Sequence, residues 1–358
     1  MRKKASPLIF RADGGSKRGM GHIFRVVELM RFLKHRWRIR SLLVLRADPD
    51  AARVVRRAGI AFRRLPSAAS EQEEARRLNR IARNVGSRAL VLDVLDTKPK
   101  RIRALRRYFR AIVTLDDRGE GAPLCDAVVH MLTRPRSERK PSAAARVYSG
   151  ARFVVVRREF LACRRRSIAP VARHFVISIG GADPAGLSVK AARAVLAMDF
   201  SPRVTLVQGP AFRHRAAAEK LARTAEGRLR LVRSPARLAP HLAEADIAVV
   251  SGGMGAYEAA AMGIPTVAIC QTEAEWRDNV LREYPFVVSL GIGARLSDER
   301  MRTVLERLAV DSSRRRMLRR KALRAIDGRG LERVAKIIAG CYHGGGAQGS
   351  LPPHQGEP

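Results

Sequence analysis

Short apolar runs alternate with basic stretches of helical period, and the chain goes through this alternation twice. Runs too short for helices, separated by amphipathic stretches, are the pattern of βαβ units and hence of mostly parallel sheets. In the first series, residues 8–10, 41–45, 88–92 and 111–115 read as strands. Residues 23–36 read as a helix with Val26, Val27, Met30 and Leu33 on one face, and 50–58 and 99–109 as further helices. A loop rich in Arg, Pro and Ser follows at 133–145, then a strand at 153–156. The second series starts near Arg173, with strands at 174–179, 204–207, 229–232, 247–250 and 266–269. Its helices are expected at 187–196, 213–225, 236–244, 257–262, 298–308, 311–326 and 331–338. The expectation is an α/β protein with a Rossmann-like domain at 1–170, a second at 171–340, and a low-complexity, disordered tail at 341–358. Two doubly wound domains of this kind face each other across a cleft at the carboxyl ends of their strands, where open α/β sheets bind ligands.

Composition narrows the class. With 358 residues, 46% hydrophobic, there is material for two cores. No apolar run approaches the roughly 20 residues of a membrane helix. Met1-Arg2-Lys3-Lys4 has the charge of a signal n-region, but Arg11 and Asp13 interrupt the apolar stretch that follows, so a cytoplasmic protein is expected. Cys125, Cys163, Cys270 and Cys341 are scattered, which excludes a disulfide scaffold and gives no structural zinc site; no metal and no cofactor are expected. Lys and Arg number 70 against 33 Asp and Glu, a formal charge of +37. The basic residues are dispersed, aromatic residues make up only 5%, and no zinc-finger or RNA-recognition signature occurs, so no dedicated nucleic-acid binding is expected. Solvated basic faces are the plain reading; weak association with an anionic membrane surface is the second. The oligomeric state is not legible.

Three strand-to-helix turns are glycine-rich. The first, residues 11–22, ends Gly19-Met20-Gly21-His22. Glycines there let backbone pass close to a ligand, and His22 falls at a helix start, where free N–H groups favour anions. Two roles fit it: a general base in the cleft, or a plain helix-terminal histidine. In the second turn Gly180-Gly181 form a phosphate-type cradle, and Asp183 either caps the next helix or reaches a ligand hydroxyl. The third, Ser251-Gly252-Gly253-Met254-Gly255, lacks the Gly-Lys-Ser/Thr of a Walker loop and runs on to Glu258, one turn into a helix and placed to accept from both hydroxyls of a ribose. Together the turns point to a nucleoside diphosphate. Asp48-Pro49-Asp50 has the form of a metal-binding DxD but reads as a helix cap.

The pattern Arg11, Asp13, Gly19, Gly21, His22, Arg25 resembles the opening of the UDP-sugar hydrolase of pseudaminic acid biosynthesis and of the related spore-coat polysaccharide proteins. The resemblance continues through Leu115-Asp116-Asp117, Cys125-Asp126, and Gly150 with Phe153, Arg157, Glu159 and Phe160. It takes in the second and third turns, and then Asp327-Gly328-Arg329-Gly330 with Glu332-Arg333. It implies the GT-B fold, UDP held by the C-terminal domain, and metal-independent chemistry at an anomeric carbon. It also implies a catalytic role for the histidine matching His22, as the base that activates water, and Asp13 of the same motif joins it as a catalytic candidate. The binding candidates are Gly19, Gly21, Arg25, Gly180, Gly181, Asp183, Ser251, Gly252, Gly253, Met254, Gly255, Glu258 and Asn279. The chain departs from the family at Asp93-Val94-Leu95, where Asp-His-Tyr is usual, at His130 in place of Asn, and at 271–275, where an Asn-Gln pair is out of register. The implied function is hydrolysis of a UDP-amino- or deoxy-sugar, releasing UDP, in surface-glycan synthesis of the nonulosonic acid or spore-coat type. The alternatives are a GT-B glycosyltransferase and a non-catalytic nucleotide-sugar binder.

Overall fold

The computed structural model describes residues 6–15, 19–67, 69–133, 145–164 and 167–344. The first half runs β1 (Leu8–Ala12), α1 (Gly21–Trp37), β2 (Ser41–Arg46), α2 (Pro49–Arg57), β3 (Phe62–Leu65), α3 (Glu71–Val85), β4 (Ala89–Asp93), α4 (Pro99–Arg106), β5 (Ala111–Leu115), β6 (Ala127–His130), β7 (Arg146–Ser149) and α5 (Arg158–Ala162). The second runs β8 (His174–Ser178), α6 (Leu187–Leu196), β9 (Arg203–Gln208), α7 (Arg215–Thr224), β10 (Leu229–Arg233), α8 (Ala239–Ala243), β11 (Ile247–Ser251) and α9 (Met254–Ala261). It ends with β12 (Thr266–Cys270), α10 (Glu273–Asp278), β13 (Val287–Ile292), α11 (Asp298–Val310), α12 (Ser312–Ala325) and α13 (Gly330–Tyr342).

Local chemistry sets several of these boundaries. Asp48 caps α2 by accepting from the Ala51 N–H at 2.8 Å, with Pro49 in the first helical position, so the DxD-like triplet is a helix start. Ser70 caps α3, three glutamates follow in its first turn, and Gly86 at φ 70° ends it. Strands β1 and β4 are buried along their whole length, as parallel strands covered on both faces must be.

All strand pairs are parallel, in the orders β3-β2-β1-β4-β5-β6-β7 and β10-β9-β8-β11-β12-β13. In each sheet the order reverses beside the first strand, which opens a crevice at the carboxyl ends of β1 and β4 in one and of β8 and β11 in the other. The His22 turn follows β1, the Gly180 turn follows β8, and the Gly252 turn follows β11, so all three glycine turns stand at a switch point.

Three stretches that differ from the expectations bear on the architecture. β3 and α3 fill a stretch in which no element was read; β3 is an edge strand whose exposed arginines hide its period. The last strand of the first sheet lies at Arg146–Ser149, while Val154, Val155 and Val156 are buried coil: an apolar run reports burial, and here the N-terminus of α13 packs on the Val154 backbone. The third is α13 itself, which the division at 171–340 placed in the second unit. It returns to pack on α1 and on β4, β5 and β6 of the first sheet. The stretch 134–144 and the tail beyond Gly344 lie outside the described residues.

Candidate active site

His22 is the second residue of α1, and its Nδ1 lies 2.7 Å from Oδ1 of Asp93, the last residue of β4. A ring nitrogen that close to a buried carboxylate carries the proton, which leaves Nε2 with its lone pair. Nε2 has no hydrogen-bond partner among the described residues, and the side chain keeps 24% of its surface exposed. Asp93 is held in turn by Arg25, whose Nε donates to Oδ2 at 2.9 Å and whose Nη2 reaches Oδ1. Arg25 also reaches Asp116, and Asp116 accepts from the N–H groups of Met131 and Leu132 at 2.7 and 2.8 Å. Burial alone would raise the Asp93 carboxyl; the charge of Arg25 and the hydrogen bonds from His22 and Arg25 outweigh it and hold it at about 2. Burial likewise works against the Arg25 charge, and Asp93 and Asp116 keep it protonated. One cation and two carboxylates therefore stand behind the imidazole.

Two of the expected site residues are held by the protein in this cluster. Arg25, expected to touch the ligand, lines the cavity described below but is 2% exposed, and its guanidinium donates to Asp93 and orients it. Asp13, expected as the second catalytic residue, accepts from Arg11 Nη1 and Nη2 at 2.7 and 2.8 Å and from the Arg46 N–H at 3.1 Å. Arg11 in turn joins Glu74, itself fully buried, which also takes Arg101. Asp13 is thus part of an ion network tying β1 to β2 and α3, and Asp93 stands at the imidazole instead.

Across the cleft, Gly252 has no room for a side chain, since a Cβ there would sit 2.7 Å from Cys270 Sγ. Asn279 holds this turn from behind: its amide donates to the Gly252 carbonyl, and its Oδ1 accepts from the Leu281 N–H at 2.8 Å. Its side chain is occupied by the protein, contrary to the expected ligand contact. The turn leads into α9, where the N–H groups of Met254 and Gly255 have no partner among the described residues. A helix start with free N–H groups is an anion site. The start of α6 is different: Asp183 accepts from the N–H groups of Leu187 and Ser188, both at 2.9 Å, and from the Ser188 hydroxyl. Of its two expected roles, Asp183 performs the capping one. Gly180, at φ 71°, presents its backbone beside Ser251.

Met20, Gly21, Phe24 and Arg25 from the first half line a cavity of about 170 Å³ with Ser178, Gly180, Val250, Ser251, Met254, Gly255 and Glu258 from the second. The two sides touch where Gly21 meets Met254, a Cβ on the glycine lying 3.8 Å from that of Met254. Gly19 and Gly181 stand beside this cavity in sequence, with open space where a side chain would be. Both oxygens of Glu258 accept from Arg157, at 2.8 and 3.2 Å. Burial pushes the Glu258 carboxyl up, and Arg157 works against it. Sequence reasoning missed Asp93 and Arg157 as site residues, and Asp116, which ends a strand at the cleft edge and could be read there as either a substrate contact or a structural cap, bonds Arg25. The strand order would have found Asp93, because a parallel sheet that reverses beside β1 sets the end of β4 next to the His22 turn. Among the described residues no cluster of three or more His, Cys, Asp or Glu is placed to hold a metal, and no helix is long and apolar enough to cross a membrane.

No protein-family model matches the chain. In sequence it is similar to the spore coat polysaccharide biosynthesis protein SpsG of Bacillus subtilis, 24% identical over 344 residues that cover 92% of this chain and 97% of that one. In structure it is similar to Acinetobacter baumannii MurG, at a TM-score of 0.66 and 12% identity, covering 93% of this chain and 99% of the other. It is also similar to Anabaena Alr3699/HepE in complex with UDP and glucose, at 0.58 and 12%, covering 93% and 99%. Two Rossmann-like domains facing each other across a cleft make this the GT-B fold, carried by a chain that is homologous to a spore coat polysaccharide protein.

Proposed function

We propose that the protein is a nucleotide-sugar hydrolase that releases UDP from a UDP-amino- or deoxy-sugar in surface-glycan synthesis. The observation that carries the reading is the His22–Asp93 pair, with Nε2 unoccupied, set across a cleft from a helix start whose N–H groups are unpaired. Nε2 takes a proton from water as the water oxygen bonds to the anomeric carbon. The bond from that carbon to the β-phosphate oxygen breaks, and UDP leaves with the electron pair. Its growing charge meets the N–H groups of Met254 and Gly255 and the positive end of α9. Asp93 holds the ring in the required tautomer and balances the imidazolium. Gly180, Ser251 and Gly253 supply close backbone around the diphosphate, and Glu258 accepts from the ribose.

The similar proteins support this substrate class: one is a polysaccharide biosynthesis protein, and another is in complex with UDP and glucose. A second reading, sugar transfer, is favoured by one feature. A groove of about 610 Å³ between α1, α2 and α5 shares Phe24 and Arg157 with the cleft and gives room for an acceptor. There His22 would take its proton from an acceptor hydroxyl. A panel of UDP-sugars, followed by UDP release with and without acceptors, tests both. Release without acceptor is expected; release only with acceptor selects transfer, and binding without turnover refutes catalysis. His22→Ala is expected to abolish release and leave UDP affinity within about threefold, because its ring bonds the first lobe's Asp93 and the nucleotide is assigned to the second lobe's Gly180 and Gly252 turns. Wild-type turnover in that variant removes His22 as the base.

A further inference from the structure

Arg157 lies between the two sheets in sequence and belongs to neither. Its guanidinium carbon lies 4.7 Å from the centre of the Phe24 ring and 4.5 Å from that of Phe160. Its Nε and Nη2 grip both oxygens of Glu258, and its Nη1 lies 2.9 Å from Glu159, which also takes Arg237 at 3.2 Å. It lines both the cleft and the neighbouring groove. We infer that Arg157 is a positioning residue that fits Glu258 to accept the ribose hydroxyls and fixes the His22 helix against the nucleotide-binding helix. This inference rests on the reading of Glu258 as the ribose contact.

The chemistry follows from the fork. An ionised carboxylate offers about four lone-pair sites, and a two-pronged arginine uses one on each oxygen. One site per oxygen remains for two hydroxyls, in a plane set by a guanidinium that the flanking rings keep from turning. Glu258 is buried, so without that cation it is an uncompensated charge and takes up a proton more readily. Phe24, one of the two rings against the guanidinium, is two residues beyond His22 on α1, while Glu258 is on α9. One side chain therefore ties the helix carrying the base to the helix carrying the anion site.

The test is calorimetric binding of UDP and 2′-deoxy-UDP to the full chain from pH 5.5 to 8.5, for wild type, Arg157→Met, Arg157→Lys and Glu258→Gln. Wild type sets the reference pH profile, which includes the ionisation of the UDP terminal phosphate near pH 6, and is expected to prefer UDP to the deoxy compound by about tenfold, as for one hydrogen bond to a charged acceptor. Arg157→Met is expected to bind UDP about tenfold more weakly than wild type at pH 7, to close part of that gap as pH rises and Glu258 ionises, and to lose its preference for the ribose. Arg157→Lys keeps a charge without the fork and is expected to restore the wild-type profile but only part of the preference. An Arg157→Met protein with wild-type affinity, profile and preference overturns the inference. So does one that binds UDP more tightly, which would make the ion pair a latch that competes with the nucleotide. Weak binding by Glu258→Gln with unaltered Arg157→Met defeats only the role of Arg157, whereas wild-type binding by Glu258→Gln defeats the ribose contact itself and the inference with it.

Discussion

Asp93→Asn is the substitution that most directly tests the proposed chemistry. It keeps the shape of the side chain and an oxygen to accept from His22 Nδ1, and removes the charge. Two unit charges about 4 Å apart attract by about 4 kcal/mol at an effective dielectric near 20. The imidazole is partly open to solvent and Arg25 offsets some of that field, so about 3 kcal/mol of imidazolium stabilisation is lost, a factor of roughly 10² in rate. If the amide also turns its NH₂ toward the ring, the tautomer inverts, and a carboxylate lost behind a catalytic histidine then costs on the order of 10⁴. UDP release from the substrate found in the panel is expected to fall by about 10² to 10⁴, with UDP affinity unchanged, since Asp93 is on the opposite lobe from the Gly180 and Gly252 turns proposed to hold the nucleotide. Asp116→Asn is the control: it removes a charge from the same arginine without touching His22, so it shares the loss of stability and spares most of the rate. A rate for Asp93→Asn within about tenfold of wild type, or one equal to that of Asp116→Asn, refutes the reasoning.

Three further outcomes follow from the same geometry. Asp13→Asn is expected to lower stability by about 1–3 kcal/mol in urea unfolding, with Glu74 still neutralising Arg11, and to leave turnover near wild type at low temperature; loss of turnover in the folded protein would return Asp13 to the chemistry. Asp183→Ala removes the cap of α6 and is expected to cost about 1–2 kcal/mol while UDP affinity stays constant, so weakened binding would put its carboxylate on the ligand. The depressed Asp93 carboxyl contributes stability that is fully present above about pH 4, where the unfolded chain's aspartate is ionised, and is lost as pH falls toward about 2. A gap of about two pH units corresponds to roughly 2–3 kcal/mol, so the stability difference between wild type and Asp93→Asn is expected to close over that window, and a difference that persists below it rules out the ion pair as its source.

The two-domain plan was legible because strand length and helix period are local properties, and in both halves they alternate in the same sense. The positions of the glycine turns were legible for a related reason: turns after β1, β8 and β11 are where the chain must bend at a sheet edge. What residues do after the bend was less so. Asp13 and Asp93 are both acids at the carboxyl ends of neighbouring buried strands, and only strand order and the side of the sheet each one faces decide between them. Asp13 meets Arg11 and Arg46; Asp93 meets His22 and Arg25. The second turn was ambiguous in the same way, since Asp183 fits a cap and a ligand equally well until the positions of Leu187 and Ser188 are known. The end of the chain misled for another reason. The apolar face of α13 specifies that the helix is buried, and nothing in its period says against which sheet.

The return of α13 bears on function. With it, the chain crosses between the lobes twice, once through the segment after β7 and again between α12 and α13, so closure of the cleft has to bend two strands of chain rather than one. The crossings are tied together: Arg164 of the first donates to the Ile326 carbonyl at the second and to the Ala261 carbonyl at the end of α9, and Gly328 packs on Leu161 and Arg164. A double crossing resists twisting of one lobe on the other and still permits hinging, the motion by which His22 would approach a sugar held on the far side in the proposed reaction. Much of the arginine surplus serves this kind of internal carpentry. Arg315, 1% exposed, donates to the carbonyls of Leu308 and Ala309 at the end of α11 and to those of Ala169 and Pro170 where the chain enters the second lobe. A guanidinium there can satisfy four carbonyls at once, which no lysine can do. The charge of +37 is therefore no measure of affinity for an anionic partner: several of its cations, Arg157 among them, are committed to carboxylates and carbonyls of the molecule itself.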